Sequence, residues 1–193
     1  NILELSEEKS IDLIVMGTFG INGLKDRIWG SKTAGLTGKT NVPVMVIPYE
    51  YNWKVPEKIL LATSFFEEDR NVLEPITGLT DAFKATLHTI IFTDEDTADA
   101  ALFLERGMNM ADYERKLKKL LNTESIITGH LSGSKFEDTL QDYIKNNDID
   151  ILTMISYQRS LWDRIFHPSV TRRMSYHTTI PLLVIPANKK GEE

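Results

Sequence analysis

Cysteine is absent from the 193 residues, which removes disulfides, thiolate metal sites and thiol nucleophiles together. The absence fits a reducing, cytoplasmic setting. No apolar run reaches the roughly 18 to 20 residues that span a bilayer, and no signal-peptide pattern opens the chain. Basic residues are in deficit: 22 Lys and Arg against 28 Asp and Glu give a net charge of −6. A field of that sign repels nucleic acid, so neither nucleic acid nor membrane is expected as a partner. Two signatures of chemistry are also missing, the G-x-S-x-G elbow and the Walker-type G-x4-G-K-[ST]. His88, His130, His167 and His177 show no metal-ligand spacing. No catalytic residue and no metal site are assigned.

What the chain does have is a glycine-rich loop in a telling place. The apolar run Ile11-Asp12-Leu13-Ile14-Val15-Met16 reads as a buried strand. It runs directly into G-T-F-G-I-N-G-L-K-D-R-I-W-G-S, Gly17 to Ser31. The spacing Gly17-x2-Gly20-x9-Gly30-Ser31 lets backbone N–H groups approach an anion and places Ser31 at the start of a helix. Tight turns that need glycine, followed by an ordinary serine N-cap, would read the same way locally. Met16 and Thr18 flank this loop, and Lys32 and Thr33 fall in the first helical turn after it.

An internal repeat sets the organisation. Residues 11–48 slide onto 149–186 without a gap and with 10 identities in 38, among them Asp12/Asp150, Met16/Met154, Ser31/Ser169, Pro43/Pro181 and Val46-Ile47-Pro48/Val184-Ile185-Pro186. Ahead of the second copy, strand-like and helix-like segments alternate. Strands are expected at Lys58–Ser64, Thr86–Thr93, Ser125–His130, 149–155 and 180–185. Helices are expected at Asp69–Ala85, Thr97–Leu121, from a Ser134/Glu137 capping box to Asn146, and over 169–178. Such alternation implies an α/β fold with a parallel sheet flanked by helices. Ahead of the first copy stand only Asn1–Ser10, which read as the tail of a helix. The expected domains are therefore 1–48, the C-terminal part of a first copy; 49–57, a linker; 58–187, a complete second copy; and 188–193, a tail. The truncation of the first copy is an expectation from this pattern.

Together, D-L-I-V-M-G-T-F-G-I-N-G-L-K-D-R-I-W-G-S and the later N-V-P-V-M-V-I-P resemble the C-terminal half of a universal stress protein domain. That family's nucleotide-binding members use G-x2-G-x9-G-[S/T] for ATP, matched here by Gly17, Gly20, Gly30 and Ser31. Residues 58–186 resemble a second, whole domain. The resemblance implies a five-stranded, flavodoxin-like parallel sheet of order 3-2-1-4-5. It also implies adenine nucleotide held by Met16, Gly17, Thr18, Gly20, Gly30, Ser31, Lys32 and Thr33. The cofactor would be ATP, with or without Mg, in the intact protein. Homodimers would pair through the terminal strands Val42–Ile47 and Ile180–Ile185; residues 1–48, with an apolar face to cover, are expected to dock on another copy of the chain or to pack against their own second domain through the final strands.

The second copy departs from the pattern. Nucleotide-binding members end the first strand on an aspartate, where this chain has Ala62-Thr63-Ser64-Phe65. The glycine positions hold Ile155, Gln158 and Pro168, and only Ser169 survives. Side chains there would fill the space of a phosphate, and Pro168 has no N–H to donate. The second copy is expected to be degenerate, its basic residues Arg159, Arg164, His167, Arg172, Arg173 and His177 read as a solvated face in preference to a replacement anion site built from side chains. Asp94-Glu95-Asp96 reads as a turn with helix-capping acids. The expectation is a cytoplasmic stress-response protein that binds adenine nucleotide and is not a dedicated enzyme, with slow ATP hydrolysis left open. The alternative is a dimerisation and interaction scaffold that binds no nucleotide.

Overall fold

The computed structural model describes residues 2–17, 40–157 and 179–187. Among them the elements are α1 Ile2–Glu8, β1 Ile14–Gly17, β2 Val44–Ile47, β3 Lys58–Thr63, α2 Arg70–Phe83, β4 Thr86–Asp94, α3 Ala100–Leu121, β5 Ile126–Gly133, α4 Phe136–Asn146, β6 Ile151–Tyr157 and β7 Leu182–Ala187. The chain forms two compact units. One is Lys54–Thr153; the other joins Asn1–Trp53 to Met154–Glu193. The boundaries of these units follow contacts, whereas the domains expected above follow the repeat.

In the Lys54–Thr153 unit the strand order is β3-β4-β5. β3, β4 and β5 run parallel, with Leu61 beside Thr89 and Thr89 beside Thr128. Helices cover both faces of β4. From α4, Tyr143 meets His88 and Phe136 meets Phe92; from α3, Arg106 reaches Thr93. Coverage on both sides explains why the strands are apolar without alternation: Ile59, Leu60, Leu61 and Ala62 are buried, as are Ile90, Ile91 and Phe92.

The helices start and stop where the side chains dictate. Asp69 accepts from the Asn71 N–H and caps α2, while Asp99 accepts from the Leu102 N–H and caps α3. Lys84 and Asn122 close α2 and α3 in the left-handed conformation, each returning its N–H to a carbonyl of the last turn. α2 buries Leu73 and Ile76, and α3 buries Tyr113 and Leu117. The Ser134/Glu137 capping box does not form. β5 runs on to Gly133, so the turn is short and Lys135 becomes the N-cap, with no side-chain cap bond.

A buried carboxylate pins the start of β3. Asp150 is 1% exposed, and its Oδ2 accepts from the backbone N–H groups of Glu57 (2.7 Å) and Lys58 (2.9 Å). Lys54 pairs with its other oxygen. The Lys58 ammonium in turn donates to the Asn147 carbonyl at 2.7 Å.

In the other unit the order is β1-β2-β7-β6. β1 and β2 are parallel, with Ile14 beside Val44 and Gly17 beside Ile47. β2 and β7 are antiparallel, pairing Val44 with Val184, Met45 with Leu183 and Val46 with Leu182. All six of these side chains are buried. Of the two packings expected for residues 1–48, on another copy or on their own second domain through the final strands, the structure has the second, with Val42–Ile47 and Ile180–Ile185 meeting through Val44–Val46 and Leu182–Val184. β2 has β1 on one edge and β7 on the other; β7 has β2 and β6. The last strands of the two copies are paired to each other within one chain, and neither offers a free edge to a second.

Candidate functional site

The expected nucleotide site begins at the carboxyl end of β1. Ile14 and Met16 are half-buried, while Val15 and Gly17 are exposed. A Cβ built on Gly17 would meet nothing within 4 Å. Packing within the described residues therefore does not demand glycine at this strand end, and the space beside the backbone is open. Its counterpart in the repeat is Ile155 on β6, 3% exposed, whose side chain is buried. Among the described residues, then, Gly17 has no side-chain neighbour at its strand end, whereas Ile155 is packed. Thr18, Gly20, Gly30, Ser31, Lys32 and Thr33 lie outside the described residues, as do Arg159, Arg164, His167, Arg172, Arg173 and His177 of the second copy.

At the carboxyl end of β3, the position of the missing acid, the structure places a threonine turn. The Thr63 hydroxyl accepts from the Phe65 N–H (3.3 Å) and donates to the Phe65 carbonyl (3.1 Å). The next carbonyl, Ser64 O, accepts from Arg106 Nη2 at 2.6 Å. Arg106 reaches over from α3 and also donates through Nη1 to the Phe92 carbonyl (2.9 Å) and to Thr93 Oγ1 (2.7 Å). Thr93 is 1% exposed, and its oxygen lies 2.8 Å from His130 Nε2.

Arginine can only donate, so Thr93 accepts from Arg106, and its bond with His130 Nε2 runs in the direction the histidine tautomer sets. Burial, and secondarily the charge of Arg106, hold the His130 pKa below its ordinary value. Phe103 lies against the imidazole, ring centroids 4.8 Å apart. The guanidinium thus takes up carbonyl oxygens at the ends of two parallel strands, where a parallel sheet gathers ligand-binding groups.

Arg106, Thr93 and His130 have no motif that announces them. Ser64 and Arg106 are far apart in sequence, and Arg106 reads as one more charge on a charged helix. His130 was visible only as a histidine without metal spacing. The loop acids have local duties: Asp94 Oδ1 accepts from the Asp96 N–H, and Glu95 Oε1 accepts from Ser132 Oγ. Asp99, beyond them, is the residue that caps α3. Among the described residues, no group of three or more His, Asp or Glu is placed to hold a metal. No described helix is long and apolar enough to cross a membrane.

Comparison with known proteins agrees with this architecture. A universal stress protein of Methanocaldococcus jannaschii, MJ0577, is 37% identical over 46 residues, 24% of this chain and 28% of its own length. The crystal structure of a universal stress protein from Archaeoglobus fulgidus superposes with a TM-score of 0.61 at 21% identity. That match covers 96% of this chain and 63% of the archaeal one, so the present chain spans less than two thirds of it. A Pseudomonas aeruginosa protein of unknown function, PA1789, superposes with the same TM-score at 17% identity, over 96% of this chain and 66% of its own. At these identities the likeness carries the fold. The family itself comes from sequence: residues 1–48 and 56–186 match the universal stress protein family, and the chain belongs to it.

Proposed function

We propose that this chain is the nucleotide-responsive part of a stress-response protein of the cytoplasm, binding adenine nucleotide at the first repeat. The observation that carries the reading is the bare strand end at Gly17, followed by the Gly20, Gly30 and Ser31 spacing, set against the filled end at Ile155. Backbone N–H groups of the loop would take the phosphates, Ser31 would cap the following helix, and Met16, Thr18, Lys32 and Thr33 would line the approach. ATP is the cofactor class, with Mg as its counter-ion. The role is binding, with no dedicated reaction.

Binding would bias the population towards whichever arrangement of the protein contacts the ligand better. The test is a calorimetric titration of Mg-ATP into the chain and into Gly17→Val. Valine suits a strand, and a Cβ there meets none of the described residues, so the variant is expected to keep the fold while obstructing the loop. A loss of affinity of about ten-fold or more is expected. No binding by the parent chain, or equal binding by Gly17→Val, overturns the reading.

A further inference from the structure

Among the described residues, Arg106 is a guanidinium with no ion-pair partner. The acids at the end of β4 are engaged with the Asp96 N–H and with Ser132. Glu105, its neighbour on α3, is exposed and acts on it only through space. Three of its five donors go to Ser64 O, Phe92 O and Thr93 Oγ1. Those three bonds hold the plane of the group still, and two N–H donors are left over.

We propose that Arg106 is the anchor of an oxyanion site at the carboxyl ends of β3 and β4, taking the carboxylate or phosphate group of a small molecule. Three observations converge on it. The guanidinium is oriented by fixed carbonyls, so little freedom is lost when an anion docks. Its charge is half-buried and uncompensated, which favours an anionic partner over water. Thr93 and His130 back it without adding a competing negative charge. Phe103, tilted against His130 and 42% exposed, supplies an apolar flank for the rest of such a molecule.

This site belongs to the second repeat and does not depend on the nucleotide reading of the first. Mg-ATP binding or its failure at Gly17 leaves it untouched. The test follows the Arg106 side-chain Nε–H signal by NMR in the full chain. Inorganic phosphate and, separately, acetate are added at constant ionic strength, with chloride as the reference. A saturable shift of that signal, accompanied by Phe103 or His130, is expected with at least one oxyanion, and the tighter of the two identifies the headgroup. Arg106→Lys keeps the charge and loses the fork, and should weaken that binding about ten-fold. Shifts that never saturate, that chloride reproduces, or that survive unchanged in Arg106→Lys overturn the proposal. Should the variant not fold, the wild-type titration against chloride decides alone.

Discussion

Met45 and Leu183 are equivalent residues of the two repeats, and they stand directly opposite each other across the antiparallel pair of β2 and β7. Their neighbours pair crosswise, Val44 with Val184 and Val46 with Leu182. The pairing is therefore two-fold about the Met45–Leu183 position, as an isologous contact between two identical subunits would be. Here one chain supplies both sides.

A cross-link tests this directly, because the chain has no cysteine of its own. Directly opposed residues of an antiparallel pair lie within disulfide reach. Met45→Cys with Leu183→Cys should oxidise within single chains, leaving a monomer on a non-reducing gel. A ladder of covalent dimers would contradict the intramolecular pairing.

Asp150 should dominate the acid limb of stability. Burial pushes its pKa up, but Lys54 and the N–H groups of Glu57 and Lys58 outweigh burial and hold it below the ordinary carboxylate value. A carboxyl whose folded pKa lies below its unfolded one contributes fully above the unfolded value, and the contribution is lost as pH falls through the folded one. Asp150→Ala strands two backbone donors and should cost about 3 kcal/mol in urea unfolding at pH 7. Asp150→Asn keeps an acceptor and should cost less, while flattening the loss of stability below about pH 4.

A second loss should set in at milder acidity. His88 is held below its ordinary pKa by burial and then by Lys58; His130 by burial and then by Arg106. For both, the unfolded chain binds the proton more readily. Their contribution is whole above the ordinary histidine value near 6.5 and drains away as pH falls below it. His130→Gln should reduce that slope. In Arg106→Gln, the His130 titration followed by NMR should move up; an unmoved midpoint would remove Arg106 as a cause.

Tyr113 offers a test of the core. Its ring is 2% exposed and packs edge-on against Phe66 at 4.9 Å, and its hydroxyl donates to the Glu67 carbonyl at 3.0 Å. Burial drives its pKa well above the usual phenol value, so it stays protonated and donating. Tyr113→Phe should cost about 1 to 2 kcal/mol, since a buried carbonyl loses its donor while the packing persists. An unchanged unfolding midpoint would show that water replaces the bond.

Much of this protein is determined locally and so was legible in its sequence. Uninterrupted apolar runs such as Ile59–Ala62 and Ile90–Phe92 mark strands buried on both faces, and their alternation with amphipathic segments implies a mostly parallel α/β sheet. Asp69 sits ahead of α2 as its pattern requires, and the contrast of Gly17 with Ile155 follows from side-chain size alone. The Ser134/Glu137 cap failed because the length of a neighbouring strand, a tertiary matter, decided where α4 begins. Which strands pair is likewise non-local: nothing near Val44–Ile47 says whether its partner comes from another chain or from residues 182–184 of its own. The Arg106 cluster joins Ser64, Thr93 and His130 from three strand ends, so its chemistry exists only once the sheet has brought those carbonyls and hydroxyls to one edge. Sequence determined the elements through periodicity and size, and tertiary structure decided the partners, because pairing and counter-charge depend on distances that chain order does not encode.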